Sequence, residues 1–100
     1  MKFDHIAISV KDLKKSIKWY CRKFNASVLY EDDTWGMLEI GDIKVALTIK
    51  SQHPPHFAFS VDSIEDIPSD TMNVHRDASI YSYIKDPDGN VVEVLCYKKE

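Results

Sequence analysis

Two histidines and one glutamate carry the chemistry that this sequence has to offer. His5 opens the run His5-Ile6-Ala7-Ile8-Ser9-Val10, and His56 opens His56-Phe57-Ala58-Phe59-Ser60-Val61. Both runs follow His-x-Ala-x-Ser-Val, and in both an aspartate lies one or two places beyond the valine. A pattern repeated half a chain apart reads as an internal duplication. Each histidine shares a strand face with a small Ala and a Ser, so it points to a side with space in front of it. If a pseudo-twofold relates the halves, the two imidazoles converge on one concave surface. Glu93 sits in the last apolar run, in phase with Val91 and Leu95, while Val92, Val94 and Cys96 face the other way. A carboxylate there costs free energy unless it is paired or coordinated. Two neutral imidazoles and one carboxylate suit a single divalent ion of Mn, Fe, Zn, Ni or Co, with positions left open for water or a bidentate substrate. The residues alone leave two readings open: a metal triad, or histidines satisfied within their strands beside a salt-bridged glutamate.

The elements that must position these groups follow from the hydrophobic period. Phe3 to Val10 alternates as a strand. Asp12 is an N-cap for a helix carrying Leu13, Ile17, Tyr20, Cys21 and Phe24 at helical spacing, and Asn25 suits a left-handed C-terminal position. Strands are expected over Ser27 to Tyr30, Trp35 to Ile40 and Ile43 to Ile49, with a tight hairpin at Gly41-Asp42. After Pro54-Pro55, His56 to Val61 is again a strand. Asp62 and Glu65 have capping-box spacing, but Pro68 limits any helix there to a turn or two. Three more strands are expected over Met72 to His75, Ser79 to Lys85 and Val91 to Tyr97, the last two joined at the Asp86-Pro87-Asp88-Gly89-Asn90 turn. The expectation is an α+β chain: one domain over 1–100, with module one at 1–50 and module two at 56–97.

At 100 residues the chain has room for one such domain. A composition 44% hydrophobic and 29% charged is ordinary for a globular protein, and a net charge of -3 provides no basic field for nucleic acid. No apolar run approaches the roughly 20 residues that span a bilayer, and the strand pattern begins too early for a signal peptide. Cys21 and Cys96 lie among apolar neighbours and make no disulfide framework, which fits a reducing cytoplasm.

The opening Phe3-Asp4-His5-Ile6-Ala7-Ile8-Ser9-Val10-Lys11-Asp12-Leu13, with Ser16 and Trp19-Tyr20 on the helix, resembles the start of a vicinal oxygen chelate module. That superfamily comprises the glyoxalases, bleomycin-resistance proteins and dioxygenases. His56 to Val61 resembles the start of a second module, and Ser79-Ile80-Tyr81 with Asp86 to Val94 resembles its end. The resemblance implies two βαβββ modules forming a curled mixed sheet around a metal cup, here with the second helix shortened. It implies metal ligation by His5, His56 and Glu93, a small-molecule ligand chelated through two oxygens, and a homodimer.

Departures narrow the implied activity. Glyoxalase I carries a fourth ligand where this chain has Ala46, which disfavours lactoylglutathione lyase activity and, with it, methylmalonyl-CoA epimerase activity. Fosfomycin-resistance enzymes share the ligand set and the Ser-x-Tyr of Ser79 and Tyr81. Their first-strand Thr is Ala7 here, and Thr71 lies near where a phosphonate-binding Lys belongs, so a dianionic phosphonate would lack a cation it needs. Extradiol dioxygenases share the triad but use further acid-base histidines. The spare ones here are His53, a loop residue, and His75 beside Arg76, placed to support a ligand or meet a substrate. Tyr81 is the candidate to orient substrate or shuttle a proton. Thr48, Trp35, Met37 and Tyr83 fall in phase with cup-facing positions, where they would line a pocket for an apolar or planar molecule unless they simply pack the core. Glu39 alternates with Trp35 and Met37 and is otherwise a solvated strand residue. A stunted second helix leaves Phe57, Phe59 and Val61 in need of cover, for which a second subunit is a candidate. The expected function is that of a lyase, transferase or dioxygenase acting through the metal. Its alternative is a metal-free drug-binding protein of the bleomycin-resistance kind, which generally lacks the triad; a sensor or assembly role is a third.

Overall fold

The structure, a computed structural model, describes residues 1–49, 54–68, 72–75 and 79–97; the readings of His53, Thr71 and Arg76 lie outside the described residues. The chain is α+β, with eight strands and one α-helix among those residues. It divides into two compact units, residues 5–55 and residues 56–100 together with 1–4.

In the first unit, β1 (Lys2–Val10, shared at its start with the other unit) is followed by α1 (Leu13–Phe24), β2 (Ser27–Glu31), β3 (Trp35–Ile40) and β4 (Ile43–Ile49). The strand order is β2-β3-β4-β1, antiparallel except for the parallel β1–β4 pair. Asp12 caps α1 as expected, its Oδ1 accepting from Lys15 N at 3.1 Å, and Asn25 ends the helix at φ 53°. One face of the sheet carries Ile8, Leu47 and Gly36 in register, then Val45 beside Leu38. Leu13 and Ile17 of the helix pack there against Leu38 and Leu47, which are both fully buried. Gly36 permits that approach, since a Cβ on it would stand 3.0 Å from Ile17 Cδ1. At the hairpin, Gly41 takes φ +59°, a left-handed conformation that costs glycine little.

In the second unit, β5 (His56–Ser60), β6 (Met72–Val74), β7 (Ile80–Lys85) and β8 (Val91–Cys96) run in the order β5-β8-β7-β6. β5 pairs parallel with β8, and the remaining pairs are antiparallel. The helix of this half shrinks to one 3-10 turn at Ile64–Asp66. Its cap is Ser63, whose hydroxyl accepts from Glu65 N at 3.2 Å, and not the expected Asp62. Ser63 also accepts the Asp66 N–H at its carbonyl, 3.1 Å away, so the turn starts one residue later than the capping-box spacing suggests.

The shortened connection still covers part of the apolar face. Ile67 enters a core with Val61, Val94 and Cys96, flanked by Met72 and Ile80, so Val61 needs no outside cover. Phe59 is half-buried edge-on to Phe3 at 5.7 Å, and Phe57 remains exposed. Tyr97 Oη donates to Asp4 Oδ2 at 2.7 Å and ties the first residues to this unit. No helix among the described residues is long and apolar enough to cross a membrane.

Candidate metal centre

β8 is brought in by a turn built on one side chain. Asp86 Oδ1 accepts from Asp88 N at 2.9 Å and from Asn90 N at 2.8 Å, and Oδ2 accepts from the Asn90 amide at 2.8 Å. Those bonds, the Asn90 side chain foremost, hold the Asp86 carboxyl below the usual carboxylate range. Gly89 takes φ +85° within the same turn. The turn sets the phase of the strand that follows, so that Glu93 lies between Ala58 of β5 and Tyr83 of β7 on one sheet face. Ala58 is too small to fill the space beside it.

Glu93 is 2% exposed, yet both its oxygens have partners. His56, itself buried, brings Nε2 to 3.2 Å from Oε1. His75, just beyond the end of β6, places Nε2 at 2.7 Å from Oε2. The His75 ring stacks on Tyr81, with centroids 3.6 Å apart and planes 13° apart, and its backbone N–H donates to Ser79 O at 2.9 Å. Tyr83 lies edge-on to His56 at 5.1 Å and to Tyr81 at 5.3 Å. His56, Glu93, His75, Tyr81, Tyr83 and Ser79 are thus gathered within one unit. The sequence offers His75 as a group to support a ligand or meet a substrate; that its partner is Glu93 depends on where β6 stops pairing with β7.

In the first unit, His5 is buried near the start of β1 and shares a face with Ala7 and Ser9. Ala7, Ala46 and Met37 stand in register across that face, followed by Ser9, Thr48 and Trp35. Thr48 is buried, and the Trp35 ring leans on Tyr30 at 4.7 Å. Ala46 presents no donor atom, and Glu39 is exposed opposite Lys44 and Ser27.

His5, His56 and Glu93 each bring one atom able to bind a metal, imidazole nitrogen or carboxylate oxygen. The donor chemistry fits a divalent transition ion: a nearly inaccessible carboxylate faced by imidazole nitrogen is what such an ion requires and what an apolar strand otherwise disfavours.

The Tyr83 phenol is pushed above the ordinary tyrosine value of 10.0 by its burial, then by the Glu93 carboxylate and Tyr81. The folded protein therefore holds this proton more tightly than the unfolded chain. The resulting stability is fully present below the unfolded value and is lost as pH rises through the folded one. In an alkaline titration of metal-free protein followed by phenolate absorbance, Tyr83 should ionise above the ordinary tyrosine range. Tyr83→Phe should remove a step from that high range; a variant titrating like wild type would refute the assignment.

A family model of the Glyoxalase/Bleomycin resistance protein/Dioxygenase superfamily matches residues 2–94. No curated protein matches the chain. Among solved structures, it is similar to methylmalonyl-CoA epimerase from Mycobacterium tuberculosis at 16% identity and TM-score 0.78, over 98% of this chain and 89% of that one. A hypothetical protein from Bacillus halodurans C-125 matches at 21% identity and TM-score 0.77, over 99% and 96%. A Streptomyces coelicolor methylmalonyl-CoA epimerase, in complex with 2-nitronate-propionyl-CoA, matches at 16% identity and TM-score 0.74, over 99% of both chains. At such identities the solved structures speak for the fold, whereas the family model spans nearly the whole sequence. The chain belongs to the Glyoxalase/Bleomycin resistance protein/Dioxygenase superfamily.

Proposed function

We propose that His5, His56 and Glu93 hold one divalent ion, and that the protein is an enzyme acting on a small molecule chelated to it through two oxygens. The observation that carries this reading is Glu93, a carboxylate 2% exposed on an apolar strand with an imidazole nitrogen at each oxygen. Family membership supports it. The ion would be Mn, Fe, Zn, Ni or Co, and would supply Lewis acidity and open positions for the substrate. The protein's own groups would do the rest. Tyr83, kept protonated, is a hydrogen-bond donor for an anionic substrate oxygen, and Tyr81 orients the substrate or passes a proton. Thr48, Trp35, Met37 and Ser79 are proposed to line the pocket. Ala46 offers no second acid or base, which argues against lactoylglutathione lyase and epimerase chemistry here, and Thr71, near where the resemblance puts a phosphonate-binding Lys, argues against fosfomycin.

A bidentate probe tests the open positions. Acetohydroxamate should shift the visible spectrum of the Co(II)-loaded protein saturably, while acetate at equal concentration leaves it nearly unchanged. No shift with acetohydroxamate would contradict chelation through two oxygens. A second reading, a metal-free binder of planar molecules, is favoured by the Tyr81, Tyr83 and His75 rings. It predicts binding of an aromatic ligand that is indifferent to metal.

We also propose a homodimer that covers Phe57 and Phe3, each 48% exposed. Light scattering at micromolar concentration should give twice the chain mass, and a monomer would contradict it.

A further inference from the structure

His75 belongs to no expected ligand set, yet its Nε2 lies closer to Glu93 than that of His56 does, 2.7 Å against 3.2 Å. The two imidazoles also meet different oxygens, His75 at Oε2 and His56 at Oε1. A carboxylate clamped on one oxygen offers the other to a metal in a fixed direction. We infer that His75 is a positioning residue for Glu93: it donates its Nε2–H to Oε2 and presents Oε1 as the single metal-binding atom. The inference rests on the metal-site reading proposed above.

Three further features favour this role over that of a fourth ligand. The His75 ring is pinned flat against Tyr81, 3.6 Å away and 13° from parallel, which fixes the direction of its Nε2–H. Its backbone is anchored to Ser79 O, so the side chain starts from a fixed point at the end of the β6–β7 ladder. The His75 side chain is 29% exposed, so Nδ1 can accept from water while Nε2 keeps the proton. Such outer partners orient metal-binding groups, ligating carboxylates included. Beside the role proposed for it above, Tyr81 also acts on the site through His75, as the surface that holds the ring.

The experiment compares His75→Phe, which keeps a flat ring against Tyr81 but has no donor, with His75→Gln, which restores an N–H at similar reach. Zn(II) affinity is measured by competition with a chromophoric chelator, and the Co(II) absorption spectrum is recorded for each variant, with folding checked by circular dichroism. His75→Phe should bind roughly 10–100-fold more weakly than wild type. His75→Gln should bind close to wild type and keep its Co(II) spectrum. His75→Leu, run in parallel, supplies the donorless comparison should the Phe variant not fold. Wild-type affinity in the donorless variants would overturn the inference. So would equal losses in the Gln and donorless variants with altered Co(II) spectra, since His75 would then be a ligand. Wild-type affinity in His56→Ala marks a different failure, that of the metal-site reading itself, and the inference falls with it.

Discussion

Glu93→Gln is expected to cost the protein more than 100-fold in divalent-metal affinity while leaving it folded. The substitution keeps the side-chain volume but removes the negative charge of the proposed ligand set. Losing a partner that merely orients a ligand costs about 10–100-fold, so losing the anionic ligand must cost more. Folding should survive because a neutral amide in a site 2% exposed carries a smaller desolvation penalty than a carboxylate. The amide oxygen can still accept from one imidazole. Its NH₂ group must then find an acceptor nitrogen on the other, which a change of tautomer provides. Competition titration with Zn(II) measures the effect. Retention of affinity within tenfold would mean that Glu93 is a structural carboxylate held by two histidines and nothing more.

The second large effect lies in the first unit. Leu47→Ala should destabilise the protein by about 2–5 kcal/mol, the range for truncating a buried leucine without full collapse of the cavity. Leu47 is 0% exposed and packs with Leu13, Ile17 and Leu38 beneath α1. Gly36 lies opposite it in register and, with no side chain, contributes nothing that could move into the gap. Small domains have only about 5–15 kcal/mol of stability in total, so the variant should melt roughly 8–40 °C lower. Differential scanning calorimetry gives the shift. A change of only a few degrees would show that this core repacks freely.

How far the sequence alone carried the account depends on the range of the interactions involved. Asp12 and Asn25 were legible because caps are local, and Trp35–Ile40 and Ile43–Ile49 because their period and hairpin are local too. The facing of the strands followed from simple alternation, which is why Leu38 and Leu47 lie under the helix while Ala7, Ala46 and Met37 share the opposite face. The cap falls on Ser63 because the single turn starts one residue later than the Asp62 and Glu65 spacing suggests. Cover for Val61 was missed because Ile67 reaches it from an irregular segment with no period to read. The candidate site divides the same way. His5, His56 and Glu93 stood out through a repeated pattern and an ill-suited carboxylate. The bond from His75 to Glu93 joins groups 18 positions apart and depends on the exact end of β6.

If His5, His56 and Glu93 hold a divalent metal as proposed, the metal content of the purified protein will report it. Elemental analysis of protein purified without chelator should find near-stoichiometric Mn, Fe, Co, Ni or Zn in the wild type and almost none in His56→Ala. Its identity would choose the next assay: Fe toward oxygenation, Mn toward opening or transfer, Zn or Ni toward isomerisation or lyase chemistry. Wild-type protein free of metal, and still free after reconstitution, would overturn the proposed site and leave an aromatic site for metal-independent ligands.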